Sequence, residues 1–175
     1  MGRLKSGGLR LVGTTCTPFV YQTQLETIKR LAERDDPADA LPETVGYLRH
    51  QINALEQGNI NLGDLIVKQR LGRELKAYNS PPPAARAAIQ LAEVGKGVRH
   101  GQKVAFIHTL GEPGVIAWDL PGKPDPRTVD VERYKSLLLR AAGLVLETWG
   151  LDEAQLRDLM TSPPGSASFI SPSQY

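Results

Sequence analysis

Cysteine is almost missing from this 175-residue chain: Cys16 stands alone. That excludes an intramolecular disulfide and a zinc site built on several thiolates. Histidine is nearly as scarce. His50, His100 and His108 share no metal-ligand spacing with one another or with Cys16, so a histidine-based metal centre is not expected either. No run of about 18 apolar residues exists, so no transmembrane helix is expected. The opening MGRLKSGGLRLVG lacks the apolar stretch of a secretory signal. Cytoplasmic localisation is the plain expectation.

A catalytic constellation is also missing. Cys16 lies among Thr14, Thr15 and Thr17 with no base beside it, which favours a structural thiol over a nucleophile. Asp35-Asp36 and Asp152-Glu153 fall at expected helix ends, where acids cap or simply face solvent. Gly95-Lys96-Gly97 has no following Lys-Ser/Thr and opens no helix, so it is not a phosphate-binding loop. His108 reads as a packed or strand-edge residue, and Trp118 and Trp149 as core anchors. No internal repeat is visible.

Among what is present, one stretch stands out. Leu65 to Ile107 holds eight Lys or Arg (Lys68, Arg70, Arg73, Lys76, Arg86, Lys96, Arg99, Lys103) against two acids, Glu74 and Glu93. That is a local charge of +6 in a chain whose total is +2, so the remainder carries −4. Segregation of this kind points to a region facing a polyanion on an otherwise ordinary scaffold. The composition fits such a scaffold, with 41% hydrophobic and 23% charged residues, the proportions of a folded soluble protein. The length suits one domain or two small lobes.

Local signals divide the chain into short elements. Leu9 to Val12, between Gly7-Gly8 and Gly13, reads as a short strand. Thr17-Pro18 opens a helix as N-cap and first residue, with Tyr21, Leu25, Ile28 and Leu31 at helical spacing. A second helix begins near Pro42. Its stripe Leu41, Val45, Leu48, Ile52 and Leu55 ends at Gly58, and the pair predicts an αα-hairpin. From Asp64 to Leu71, strand alternation puts Val67, Gln69 and Leu71 on one face and Ile66, Lys68 and Arg70 on the other. A helix is predicted over 82–94 with Ala84, Ala88 and Leu91 inward. Lys103–Leu110 and Gly114–Leu120 form a hairpin around Gly111-Glu112-Pro113-Gly114. Pro121 to Arg127 is an exposed connector. Asp130 then caps a third strong helix, with Tyr134, Leu137, Leu138, Ala141, Val145 and Trp149 inward and Gly150 closing it. Asp152 with Gln155 is a capping-box start for a last helix to Met160. The Ser/Pro-rich remainder reads as disordered. The sum is a mainly α chain with short β segments.

These residues, in this order, carry a resemblance. Asp64-Leu65-Ile66-Val67-Lys68-Gln69-Arg70-Leu71, then Tyr78, then Pro83-Ala84-Ala85-Arg86-Ala87-Ala88, then Gly97-Val98-Arg99-His100-Gly101-Gln102-Lys103-Val104 are similar to the thumb of family B DNA polymerases. There the series is a "DLVI-x-K/R-x-L" strand, a Tyr, a "PHVRAA" helix start and a "K-I-R-P-G-D-K-V" turn into a strand. Leu9 to Gly13 with Thr17-Pro18-Phe19-Val20 resembles the segment leaving the palm, and Arg133-Tyr134 to Gly150 resembles the helix near the polymerase C-terminus. The likeness covers about residues 7 to 160. Ala84-Ala85 stands for "HV", His100 for Pro and Thr14-Thr15 for a basic pair, and Lys135 to Leu139 lacks the usual Gln. Nothing resembles the "SLYPS", "K-x-x-x-N-S-x-Y-G" or "D-T-D" motifs, the exonuclease carboxylates or a sliding-clamp peptide.

The resemblance implies an α+β, thumb-like helical domain with a small β-hairpin. It divides the chain into a palm-exit strand segment (1–16), a thumb-like domain (17–160) and a tail (161–175). The implied role is a non-catalytic thumb portion or small subunit of a split or truncated polymerase, because two-metal phosphoryl transfer needs carboxylates this sequence does not supply. Its partners would be primer–template duplex DNA and a large subunit carrying palm and fingers. No cofactor is expected in this chain, since magnesium would be held by that palm. The implied DNA contacts are Lys68, Arg70, Arg73, Lys76, Arg86, Arg99 and Lys103, in a nucleoid-associated protein. A protein–protein adaptor docking on the large subunit, with Leu9 to Val12 as its apolar edge, and an inactive remnant are the alternatives.

Overall fold

A computed structural model describes residues 17–161. The expected Leu9–Val12 strand, Cys16 and the palm-exit segment lie outside the described residues, as does the tail beyond Thr161. Within them the order is α1 (Pro18–Ala32), α2 (Leu41–Glu56), β1 (Val67–Arg70), α3 (Pro83–Glu93), β2 (Lys103–His108), β3 (Val115–Ala117), α4 (Val131–Leu146) and α5 (Glu153–Thr161), joined by short 3-10 turns. The predicted mainly α chain with a small antiparallel hairpin is what the structure shows. β1, β2 and β3 form one antiparallel sheet in sequence order.

Helix boundaries follow their local chemistry. The Thr17 side chain accepts from the Val20 amide at 3.2 Å, with Pro18 in the first turn. The Asp130 carboxylate accepts from Arg133 N at 3.1 Å. Gly150, at φ +84°, closes the turn that follows α4; the left-handed conformation is one glycine adopts without strain. Before α5 the capping box is reciprocal: Gln155 N donates to the Asp152 carboxylate and Asp152 N to Gln155 Oε1, both at 2.9 Å. The strands of the hairpin are shorter than predicted, ending at His108 and Ala117.

Two apolar cores sit on opposite sides of the sheet. On one side α3 lays Ala84, Ala85, Ala87, Ala88 and Leu91 against Val67, Leu71, Val104, Phe106, Val115 and Ala117. The many alanines let the helix approach closely while burying little polar surface. On the other side α1, α2, α4 and α5 form a larger core around Leu48, Ile52, Leu138, Leu139, Leu146 and Leu156. Ile107 is buried in that core, and Ile66, Ile116 and Trp118 pack on its margin. The helices cover only the end of the sheet face that carries these residues. Beyond them, the same face turns basic.

The inward face of α1 departs from its apolar pattern. Tyr21 and Leu25 are half-buried, while Thr23, Gln24 and Thr27 are buried. Each of these polar side chains has a carbonyl to bond: Thr23 Oγ1 donates to Phe19 O and Thr27 Oγ1 to Thr23 O, both at 2.8 Å. Gln24 Nε2 reaches across to Ala141 O in α4 at 2.7 Å. A satisfied polar group can be buried at small net cost, so the packing surface here is wider than hydrophobicity alone marks. Trp118 and Trp149, expected as core anchors, sit half-buried at the rim of the larger core. Gly143 is where α4 meets the start of α5. A Cβ there would lie 2.9 Å from Glu153 N, closer than side chains tolerate without moving the backbone.

The two halves of the molecule are tied by Tyr134, which is fully buried. Its hydroxyl donates to Leu65 O at 2.7 Å and accepts from His108 N at 3.0 Å. One side chain on α4 thus holds both the lead-in to β1 and the end of β2. The His108 ring is edge-on to Phe106 and to Tyr134, the packed position its sequence context implied. Burial, and secondarily the nearby Arg133, lower its pKa to about 4 from the ordinary 6.5 of histidine. The folded protein therefore holds this imidazole neutral, while the unfolded chain takes up a proton as pH falls through 6.5. Stability from this group is present above that pH and declines between 6.5 and about 4. At one pKa unit to 1.36 kcal/mol, the loss approaches about 3 kcal/mol. Urea unfolding at pH 7 and pH 4.5 should show this loss, and His108→Phe should remove most of the difference between the two pH values.

Candidate nucleic-acid interface

The basic end of the sheet is built by register. Arg70 lies opposite Lys103, and Lys68 opposite Ala105. Residues directly opposite in an antiparallel pair project to the same face, so alternation puts Lys68, Arg70 and Lys103 together, on the face away from α3. All three are exposed. Two like charges facing each other across a pair are unfavourable, and the structure relieves this by turning one aside. Arg70 Nη1 donates to Gly101 O at 2.8 Å.

That hydrogen bond belongs to a well-tied turn. Residues 99–102 close with Gln102 N donating to Arg99 O at 3.0 Å, while Arg99 N donates to Gln102 Oε1 at 2.8 Å. Gly101, at φ +88°, takes the position that needs the left-handed region. The turn is then zipped to the end of β1: Gly101 N donates to Leu71 O at 2.8 Å and Leu71 N to Gln102 O at 2.9 Å. Arg99, His100 and Lys103 are exposed on this edge. Next to it, at the free edge of β1, an open groove of about 460 Å³ is lined by Lys68, Gln69, Arg70, Tyr78, Pro82, Ala84 and Lys103. The Tyr78 hydroxyl accepts from Arg73 N at 2.9 Å, fixing the chain that leaves β1 and carries Arg73 and Lys76, both exposed.

Not every basic residue of the stretch joins this surface. Arg86 is half-buried and braces the start of α3. Its Nε donates to Pro81 O at 2.8 Å and its Nη1 to Pro113 O at 2.9 Å. Lys96 Nζ donates to Asp119 O at 2.7 Å. The structure thus brings Lys68, Arg70, Arg99 and Lys103 to one edge, sets Arg73 and Lys76 on the adjoining loop, and engages Arg86 elsewhere. His100, at the tip of the 99–102 turn, is exposed on the same edge and was not among the expected contacts.

Ion pairing separates this surface from the scaffold. Arg30, Arg34, Arg127, Lys135 and Arg157 each meet a carboxylate within 3.2 Å. Among the described residues, none of the ion pairs involves a side chain between 65 and 107. Of the Lys and Arg between 17 and 161, five of the ten outside 65–107 are ion-paired and none of the eight inside it is. An ordinary solvated face would mix both signs. Among the described residues no three His, Cys, Asp or Glu side chains come together that could hold a metal ion, and no helix is long and apolar enough to cross a membrane.

No protein-family model matches the chain. Individual proteins do. It is 27% identical over 134 residues to DNA polymerase 2 of Aeropyrum pernix, a match covering 75% of this chain and 17% of that one. It is 22% identical over 173 residues to the DNA polymerase of Thermococcus hydrothermalis, covering 97% of this chain and 10% of that one. The structure of the family B DNA polymerase from Pyrobaculum calidifontis superposes with a TM-score of 0.66 at 24% identity, over 78% of this chain and 18% of that one. The curated proteins it resembles are DNA polymerases, and the solved structure that shares its fold is a family B DNA polymerase. The fold expected from the ordered motifs is therefore the fold observed: a small sheet among helices that recurs within a family B polymerase. The chain spans 17% or less of the length of these two curated polymerases.

Proposed function

We propose that the chain acts as the thumb portion of a split family B DNA polymerase, gripping primer–template duplex through its phosphate backbone without performing catalysis. The observation that carries this reading is the set of exposed, carboxylate-free bases on one sheet edge, Lys68, Arg70, Arg99 and Lys103, with Arg73 beside them. Phosphate contacts position a protein on a duplex without reading sequence, which suits a polymerase that must hold any duplex it makes. Palm, fingers and the metal-binding aspartates would come from a large subunit, and magnesium would be held there.

Fluorescence anisotropy with a labelled 20-base-pair duplex tests the grip. Four neutralised phosphates, at about −0.9 per contact, predict a slope of log affinity against log salt near −3.6. Affinity should be the same for unrelated duplex sequences. A salt response close to flat would sink the reading.

A second reading, an adaptor docking on the polymerase large subunit, is favoured by one observation. Two exposed large apolar side chains, Val94 and Leu110, line the same groove as Pro113, Ile116 and Leu120. A Lys68→Glu, Arg70→Glu variant that loses duplex binding yet retains a family B large subunit would separate docking from DNA grip.

A further inference from the structure

We propose that the free edge of β1 takes up an acidic, extended segment of another polypeptide as an added antiparallel strand. The inference does not need the duplex reading, although the two ligands would share Lys68, Arg70 and Lys103.

The two edges of the sheet differ. Between β2 and β3, Trp118 N donates to Ala105 O and Thr109 N to Gly114 O, both at 2.9 Å. Bonded and non-bonded pairs alternate along an antiparallel ladder, so Val115 and Ala117 turn their backbone groups outward. Gln90 of α3 meets both residues. Its Nε2 donates to Val115 O at 2.9 Å, and its Oε1 accepts from Ala117 N at 2.8 Å. That edge is closed. On the other side of the sheet, Leu71 N donates to Gln102 O at 2.9 Å, continuing the register that sets Arg70 opposite Lys103. The same alternation turns the N–H and C=O of Lys68 and of Arg70 outward. Among the described residues no hydrogen bond reaches these four groups. An unpaired row of this kind is a template for a further strand.

The side chains decide which strand fits. A residue set opposite Lys68 or Arg70 shares their face, where Lys103 also stands and where none of the three has a carboxylate partner among the described residues. An acid is favoured there. The residue between falls opposite Gln69, on the face of Val67 and Leu71, where Tyr78, Pro82 and Ala84 wall the groove. An apolar side chain suits that position. The fitting pattern is therefore acid, apolar, acid. Bases on a short edge strand deter ordinary pairing. Here they exclude a second copy of β1, which would set base against base, and admit an acidic strand. Residues 1–16 and 162–175 hold no Asp or Glu, so neither end of this chain supplies it. A duplex matches the edge itself less well, because phosphate oxygens accept hydrogen bonds and cannot donate to the two outward carbonyls.

The probe is the labelled peptide Gly-Ser-Asp-Val-Glu-Val-Asp-Ser-Gly, titrated with the whole chain at low salt and read by anisotropy. Replacing its three acids by Gln should weaken binding about tenfold, the size expected when a few exposed ion pairs are lost. N-methylation then separates strand addition from simple charge attraction. In the antiparallel arrangement the central Glu turns its N–H to β1, and the two valines turn theirs away. Methylating the Glu nitrogen should cost about tenfold in affinity, and methylating the valine nitrogens much less. The bound peptide should also slow hydrogen exchange at the Lys68 and Arg70 amides. No binding of the acidic peptide, a Glu-methylated peptide that binds as well as the valine-methylated one, or unchanged exchange at both amides at saturation would overturn the proposal. Failure of the duplex reading shows itself separately, as absent binding of labelled duplex while the peptide still binds. Where both ligands bind, unlabelled peptide should displace the duplex.

Discussion

Reversing two charges, Lys68→Glu together with Lys103→Glu, should reduce duplex affinity by roughly 200-fold or more at 50 mM salt. The figure follows from counterion release, in which each lost contact at that salt removes a little over one decade. The salt slope should fall with it, from about −3.6 to about −1.8, if two of four contacts are gone. The two lysines are the right pair because they flank Arg70 on one face, are exposed, and have no carboxylate partner among the described residues. Nothing in the fold should suffer. Exposed substitutions away from packing features usually change stability by less than about 0.5 kcal/mol, and K103E replaces a like-charge neighbour of Arg70 with an opposite one. Thermal unfolding should therefore stay within a degree or two of the parent, or rise slightly. Anisotropy titrations at several salt concentrations read both affinity and slope. An unchanged slope would mean that these lysines are solvated and that the duplex is held elsewhere.

The largest effect on stability is expected from Tyr134→Phe. The substitution removes only an oxygen, but that oxygen joins Leu65 O and His108 N at 2.7 and 3.0 Å. Both residues are buried, so water cannot replace it, and each abandoned group costs about 1–3 kcal/mol. A loss of about 2–5 kcal/mol follows, or roughly 5–15 °C in melting temperature for a domain of this size. The damage should be directional. Leu65 leads directly into β1, so the amides of Val67 to Arg70 should exchange faster with solvent than those of α2, which Tyr134 does not hold through its hydroxyl. Duplex affinity should weaken as well, since Lys68 and Arg70 ride on that strand. If Y134F unfolds within 0.5 kcal/mol of the parent, the bridge contributes nothing and the sheet must be fastened to the helices by packing alone.

Much of the fold was legible because its signals are local. The Thr17-Pro18 start, the Asp130 cap, the Asp152–Gln155 box and Gly150 are hydrogen-bond or backbone requirements met within a few residues. They can be read wherever the right residue types stand at the right spacing. The alternation around Lys68 and Arg70 was legible for the same reason, since a strand puts every second side chain on one face whatever it pairs with. The inward face of α1 was not. Thr23, Gln24 and Thr27 count as polar in any periodicity, and their burial depends on carbonyls, one of which, Ala141 O, lies more than a hundred residues away. The two Trp residues were placed too deep for a similar reason: side-chain size does not say whether the neighbouring helix extends far enough to cover the ring.

The basic stretch shows the same division. By itself the sequence determined that a charge of +6 is concentrated between Leu65 and Ile107, that Lys68 and Arg70 share a strand face, and that the ordered motifs resemble a family B polymerase without its metal-binding carboxylates. Those conclusions need only composition, spacing and order. Tertiary structure decided which of the bases are available. It paired Arg70 with Lys103 across the sheet, bonded Arg70, Arg86 and Lys96 to backbone carbonyls, with Arg86 half-buried and held by two of them, stopped the helical layer short of the basic end, and put His100 at the tip of a fixed turn. Each of these depends on which distant segment fills the space beside a side chain, and a linear pattern does not carry that information.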